Sequence, residues 1–204
     1  MAPTLLFFLS SPEPSHLPIS FVEAFGPDEA SLRYRILVEH QLKHLPPDWP
    51  LEIHVSPPSS LPDVMAWLGP GYDYFPRPEK SFGTRLQSAL ENHQRDPHSP
   101  VFAFEAFCPG LQKPLFAQAE RALQQGLEMM LGTTDESQIY LIGLKPDHLE
   151  WMNAIRWESP LALADLLGEA KVRHLTPGLL PLAFLAQSAQ AWQLAEKEYA
   201  LARR

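Results

Sequence analysis

The chain has 204 residues, 45% apolar and 20% charged, with a formal net charge of -8. That length and balance give one ordinary globular domain with a sizeable core. The negative charge argues against nucleic acid or an anionic membrane surface as partner, and leaves any phosphate site to be built locally.

The 22 prolines are spread along the chain and read as loop punctuation. One cysteine, Cys108, rules out an internal disulfide framework and a cysteine-rich metal site. Leu5 to Leu9 is apolar but too short for a signal-peptide core, and no cleavage pattern follows it. No stretch approaches the ~18 apolar residues of a spanning helix. The expectation is a cytoplasmic protein without nucleic-acid or membrane partners.

Thr4–Leu9 (TLLFFL) predicts a buried first strand, and Ser10–Ser20, with three prolines, a loop. Gly26-Pro27-Asp28 opens a helix, because proline suits the first turn and Asp28 and Glu29 suit its positive end. Leu32, Ile36, Leu37 and Leu42 give that helix an apolar stripe, and Pro46-Pro47 stops it. Leu51–Val55 alternates and predicts a second strand. Ser60 is placed to cap a short helix through Leu68, closed by Gly69-Pro70-Gly71. Tyr72–Phe75 predicts a short strand. Ser81 then caps a helix carrying Phe82, Leu86, Ala89 and Leu90 on one face. Val101–Phe104 predicts a central buried strand, followed by EAFCPGL. Lys113–Gln125 is helical and Gly126 stops it.

Leu127–Leu144 (LEMMLGTTDESQIYLIGL) holds two short apolar runs, each a strand, around the polar loop TTDESQ. Asp135 and Glu136 in that loop have two readings: a solvated turn, or a ligand site at the end of a buried strand, where open α/β sheets bind. Pro146–Asn153 predicts a short helix. Ser159-Pro160 starts another that ends near Gly168, and Val172–Leu175 predicts a short strand. Pro181–Arg204 predicts one long helix. Leu182, Leu185, Ala189, Trp192 and Tyr199 fall near one face of it, interrupted by Glu196. That stripe either packs on its own domain or supplies a homodimer contact. Strands alternating with helices predict an α/β layered sheet. Residues 1–180 form the domain and 181–204 a C-terminal helix packed on it, with no repeat and no linker.

Taken in order, LLFFLSSPEP, FGPDEA, FGTRL, FCPGL, LGTTDESQIYLIGL and IRWESP resemble a bacterial family of GT-A-type glycosyltransferases, the radical-SAM-associated transferase 1 group. The resemblance spans nearly all of residues 4–180. It implies a three-layer GT-A (nucleotide-diphospho-sugar transferase-like) fold with a mixed, mostly parallel central sheet. It also implies sugar or nucleotidyl transfer with Mg²⁺ or Mn²⁺ and a nucleotide sugar.

The departures bear on that activity. In the first loop the family carries a Lys, an Arg and Lys-Thr-Arg, which balance a diphosphate's charge. This chain has Ser10, His16 and Pro18-Ile19-Ser20 instead, keeping Pro12 and Pro14. After the central strand the family has Ser-Asp-Cys-Pro-Asp-Leu, and this chain has Ala106-Phe107-Cys108-Pro109-Gly110-Leu111. Hard cations need oxygen ligands, and Phe107 supplies none. Glu105 is near, but on a strand it points opposite to Ala106 and need not replace the lost group. The family's acid pair survives as Asp135-Glu136, while Ser137-Gln138 replace Gly-Gly. The family's late Asp-rich turn has no acidic counterpart around Pro181-Leu182-Ala183-Phe184.

The remnant pocket is therefore Ser10, Ser11, His16, Arg85, Asp135 and Glu136. Arg85 is the best phosphate candidate, against the plainer reading of a solvated helix-surface arginine. His16 suits an anion or a metal. Cys108, before a proline in an apolar segment, reads as packing rather than a nucleophile. No catalytic residue, metal ligand or cofactor is assigned. Two functions stand: a divergent GT-A-like binding or structural module with an unidentified protein or small-molecule partner, or a working glycosyl- or nucleotidyltransferase with a rebuilt site.

Overall fold

The computed structural model describes residues 2–78, 81–91, 99–145, 149–157 and 159–201. The strands are β1 (Thr4–Ser10), β2 (Leu51–Ser56), β3 (Asp73–Pro76), β4 (Val101–Glu105), β5 (Met129–Thr133), β6 (Ile139–Leu144) and β7 (Pro177–Leu179). Among the described residues they form one seven-stranded sheet in the order β3-β2-β1-β4-β6-β5-β7. Only β6 runs against its neighbours, pairing antiparallel with β4 and β5. The helices are α1 (Ile19–Phe25), α2 (Pro27–His44), α3 (Leu61–Leu68), α4 (Phe82–Leu90), α5 (Lys113–Gln124), α6 (Ala162–Val172) and α7 (Ala189–Tyr199). This is the expected α/β GT-A architecture.

The unbroken run in β1 follows from a sheet covered on both faces. Leu5, Phe7 and Leu9 join one core with Phe21, Leu37, Phe116 and Trp192, under α1, α2, α5 and α7. Leu6 and Phe8 join the other with Leu86, Ala89 and Leu166, under α4 and α6. Two close approaches explain glycines in the sheet. A Cβ on Gly143 would lie 2.3 Å from the Phe102 ring, and one on Gly178 would lie 2.5 Å from Met130 Sδ.

Several expectations need correction. The loop after β1 is shorter than Ser10–Ser20, because α1 begins at Ile19 and a 3-10 turn occupies Pro14–His16. Gly26, at φ +78°, joins α1 to α2 without breaking their contact. The apolar stripe on α2 is rotated: Ala30, Tyr34, Leu37, Val38 and Gln41 face the core, while Leu32 is 49% exposed. α6 runs through Gly168 to Val172, so Val172–Leu175 is not a strand. Burial of Ala162, Leu166 and Ala170 on its inner face outweighs the ~1 kcal/mol cost of a helical glycine. The strand comes later, as β7, parallel to β5.

The last helix begins only at Ala189, where the Ser188 hydroxyl accepts from the Ala191 amide at 3.2 Å. Residues 181–187 are not helical. Ala183 N donates to Thr133 O (3.2 Å), and Ala186 N donates to Phe107 O (2.8 Å). Leu182 and Leu185 therefore leave the proposed stripe, whereas Trp192 and Ala195 are buried. Pro146–His148 of the expected short helix, and residues 202–204, lie outside the described residues. Leu149–Ala154 forms a 3-10 helix.

Candidate functional site

The strand order reverses between β1 and β4, since β1 leads on to β2 while β4 leads to β6. In open α/β sheets the ligand crevice lies beyond the carboxyl ends of the strands at such a point. Three chain segments meet there: the loop after β1, the loop after β4, and the β5–β6 hairpin.

A phosphate cradle needs unpaired backbone N–H groups. The loop after β1 donates its own internally. Ser10 N donates to the Tyr34 hydroxyl (2.9 Å) and Ser11 N to Ser56 O (3.0 Å). Glu13 N donates to the Ser11 hydroxyl (3.2 Å) and His16 N to Glu13 O (2.9 Å). Ser11 is 2% exposed, so its hydroxyl faces the protein and not a ligand. His16 Nδ1 lies 3.8 Å from the Glu13 carboxylate. Burial pushes the Tyr34 phenol well above its usual range, which keeps it a neutral partner for Ser10.

After β4 the chain turns inward. Phe107 is 9% exposed, with its ring 5.4 Å from both Phe21 and Tyr34. The fully buried Gln41 holds this turn by donating to Cys108 O at 2.8 Å. Burial pushes the Cys108 thiol up to about 12, so it is a packed, protonated group. On the α1–α2 side the crevice is thus filled by an aromatic plug.

The other side stays open. Glu105 stands in register with Phe8 and points toward α4, away from Ala106, as its strand position predicts. There Arg85 donates to Glu105 Oε1 at 2.7 Å, its guanidinium 5.6 Å from the Phe8 ring centroid. Arg85 is therefore neither solvated nor available: its side chain is 11% exposed and its charge is compensated. Beside it lies a cleft of about 600 Å³ whose walls include Phe82, Glu105, Glu136, Gln138, Trp157 and Gln187. Trp157 is fixed by its indole N–H donating to Met152 O (3.0 Å) and by lying flat over Gly83. A Cβ on Gly83 would sit 1.8 Å from the indole, which explains the glycine of FGTRL.

Of the predicted pocket, Arg85 and Glu136 come to this cleft or its edge. Ser10, Ser11 and His16 do not line it, and neither does Asp135, whose carboxylate accepts from the Glu136 amide at 3.1 Å in the exposed turn. Sequence reasoning missed Tyr34, Gln41, Trp157 and Gln187, and gave Glu105 no part. Tyr34 and Gln41 are seven residues apart, two helical turns, and a glutamine on a buried stripe is the one cue that was legible. Gln187 lines the cleft from the non-helical segment that precedes α7.

The metal that the resemblance implies can be tested against these donors. The position after β4 offers Phe107 in the core and Gly110, while Glu105 is held by Arg85. Among the described residues no group of three or more His, Cys, Asp or Glu side chains is placed to hold an ion. The residues present do not fit a carboxylate-held Mg²⁺ or Mn²⁺ at this point.

A family model described as an uncharacterized protein conserved in bacteria (DUF2064) matches residues 42–159. The chain belongs to this DUF2064 family. No curated protein matches it in sequence. Among solved structures it is similar to a candidate nucleotide-diphospho-sugar transferase from Desulfovibrio desulfuricans G20. The TM-score is 0.87 at 24% identity, over 98% of this chain and 94% of that one. It is also similar to CMP:2-keto-3-deoxy-manno-octonic acid synthetase, solved with CTP (TM-score 0.59, 12% identity, 98% of each chain). A third similar structure is 4-diphosphocytidyl-2C-methyl-D-erythritol synthase from Anaerococcus prevotii (TM-score 0.59, 10% identity, 96% and 95% of the chains). These likenesses fix the nucleotide-sugar transferase-like fold of this DUF2064 protein. No helix of the described residues is long and apolar enough to cross a membrane.

Proposed function

We propose that this DUF2064 protein is a divergent GT-A-like binding module that does not carry out metal-dependent sugar-nucleotide transfer. The observation that supports it best is the state of the crevice between β1 and β4. The amides of Ser10, Ser11, Glu13 and His16 are bonded within the protein, Phe107 lies in the core, and Arg85 is neutralised by Glu105. A nucleotide diphosphate brings several negative charges into a partly desolvated cleft, where unpaired charge is costly. Glu136 on the cleft wall adds repulsion. The occupant that suits the cleft is a small molecule or protein segment without a diphosphate. The single buried thiol fits a reducing, cytoplasmic setting, and the C-terminal segment belongs to the same domain as the sheet.

Titration calorimetry of the full chain with common nucleotide sugars, with and without Mn²⁺, tests this reading. The expected result is no Mn²⁺-dependent heat. Micromolar, metal-dependent affinity would establish the alternative, a transferase with a rebuilt site. One observation favours that alternative: two acidic residues, Glu105 and Glu136, line the same cleft.

A further inference from the structure

Away from the crevice, the carboxyl end of α2, the starts of β2 and β3 and the start of α5 border a depression of about 790 Å³. It shares no lining residue with the cleft beside Arg85. Trp49 and Tyr72 give it aromatic walls, and the half-buried Trp49 is backed by the core, its ring stacked on Phe102 with centroids 5.5 Å apart. Pro46, Pro47, Pro70 and Pro114 also line it, each with its φ fixed by the ring. Trp49 N donates to Pro46 O (3.4 Å), and the Tyr74 hydroxyl donates to Gly69 O (2.6 Å), which ties down both loops on the rim. A wall ordered in advance spares a ligand the cost of ordering it. The volume and the apolar, aromatic lining are those of a small-molecule site.

Charge narrows the ligand. Lys43 and Lys113 stand exposed on the rim, and neither forms an ion pair with a described residue. Asp73 is the acid among the lining residues. Two lysines against one aspartate leave a local charge of +1 with His44 neutral, in a chain whose net charge is -8. The start of α5, which no side chain caps, adds to the positive side. The carboxyl end of α2 opposes an anion, and Lys43 in its last turn offsets that end. We infer that this depression binds a small organic monoanion, a carboxylate carried on an aromatic ring. The ring packs against Trp49 and Tyr72, and the carboxylate meets the lysine ammonium groups. One net positive charge balances a carboxylate, whereas a dianionic phosphate would bring charge in excess.

The test is nuclear magnetic resonance of the full chain titrated with 3-phenylpropionate, with its neutral amide and with phenyl phosphate. The carboxylate is expected to shift the Trp49 indole signal saturably, that signal being assigned through Trp49→Phe. It should bind more tightly than the amide by about threefold or more, the scale of one or two solvent-screened charge pairs. In a variant carrying both Lys43→Gln and Lys113→Gln, whose altered side chains are exposed, the preference for the carboxylate should vanish. No saturable shift at Trp49, or equal affinity for carboxylate and amide in the unaltered chain, would overturn the inference. So would a preference that survives in the double variant. Tighter binding of phenyl phosphate would make this a phosphate site, and a shift at Trp157 in place of Trp49 would put the ligand in the cleft; either outcome also overturns it. None of these results depends on whether a nucleotide sugar binds the crevice.

Discussion

At the scale of the residue, neighbours decide what each side chain of the crevice can do. Cys108 is enclosed by the core, and its thiol lies at about 12 instead of the ordinary 9.0. In the folded protein iodoacetamide at pH 8 should leave it unmodified, and unfolding in guanidinium should expose it to prompt labelling. Rapid labelling of the native chain would show that the turn after β4 opens. The same shift has a stability consequence. Because the folded value is the higher one, its contribution is complete below pH 9 and is lost as pH rises from there toward 12. Arg85 and Glu105 form a pair with one half-exposed member. Glu105→Ala should cost about 1 kcal/mol or less in a denaturant melt, because solvent screens such a pair.

Elements are held by contacts that sequence periodicity does not display. α7 is fastened by Trp192, 2% exposed, and by Arg33 of α2. The Arg33 guanidinium lies 4.4 Å from the Phe25 ring centroid and 4.7 Å from that of Trp192, with Glu29 at 2.7 Å. Trp192→Ala should cost about 3–5 kcal/mol, the range for a large buried aromatic. Chemical denaturation measures it, and a loss under 1 kcal/mol would mean that α7 is not part of the cooperative core. The cleft wall depends in the same way on Gly83. Gly83→Ala should cost about 1–3 kcal/mol by overpacking against Trp157. Much of that loss should disappear when Trp157→Ala is added, a coupling that a double-mutant cycle reads directly.

For the whole molecule, the question is association. Trp192, the centre of the stripe first read as a dimer contact, is covered by its own chain. Light scattering of the full chain is therefore expected to give the 23.0 kDa of one chain, and twice that mass would restore the homodimer. A chain ending near Gln187 would not answer this, because it removes Trp192 from the core.

The sequence by itself determined the layered α/β fold. Strands buried on both faces must be continuously apolar, as TLLFFL and VFAF are, and Ser81, Gly26-Pro27 and Gly126 punctuate helices through local backbone chemistry. It also determined that the loop after β1 holds no lysine or arginine and that no aspartate follows directly on β4, since residue identity needs no geometry. Tertiary structure alone decided where β7 and α7 begin. Pairing with β5 offers residues 181–187 hydrogen bonds and contacts that outweigh their helical pattern. It alone decided that Ser10 and Ser11 spend their amides inside, that Arg85 meets Glu105, and that Gln187 reaches the cleft. Each of these joins residues distant in the chain, and the energy of such a contact lies in a juxtaposition that no local pattern encodes.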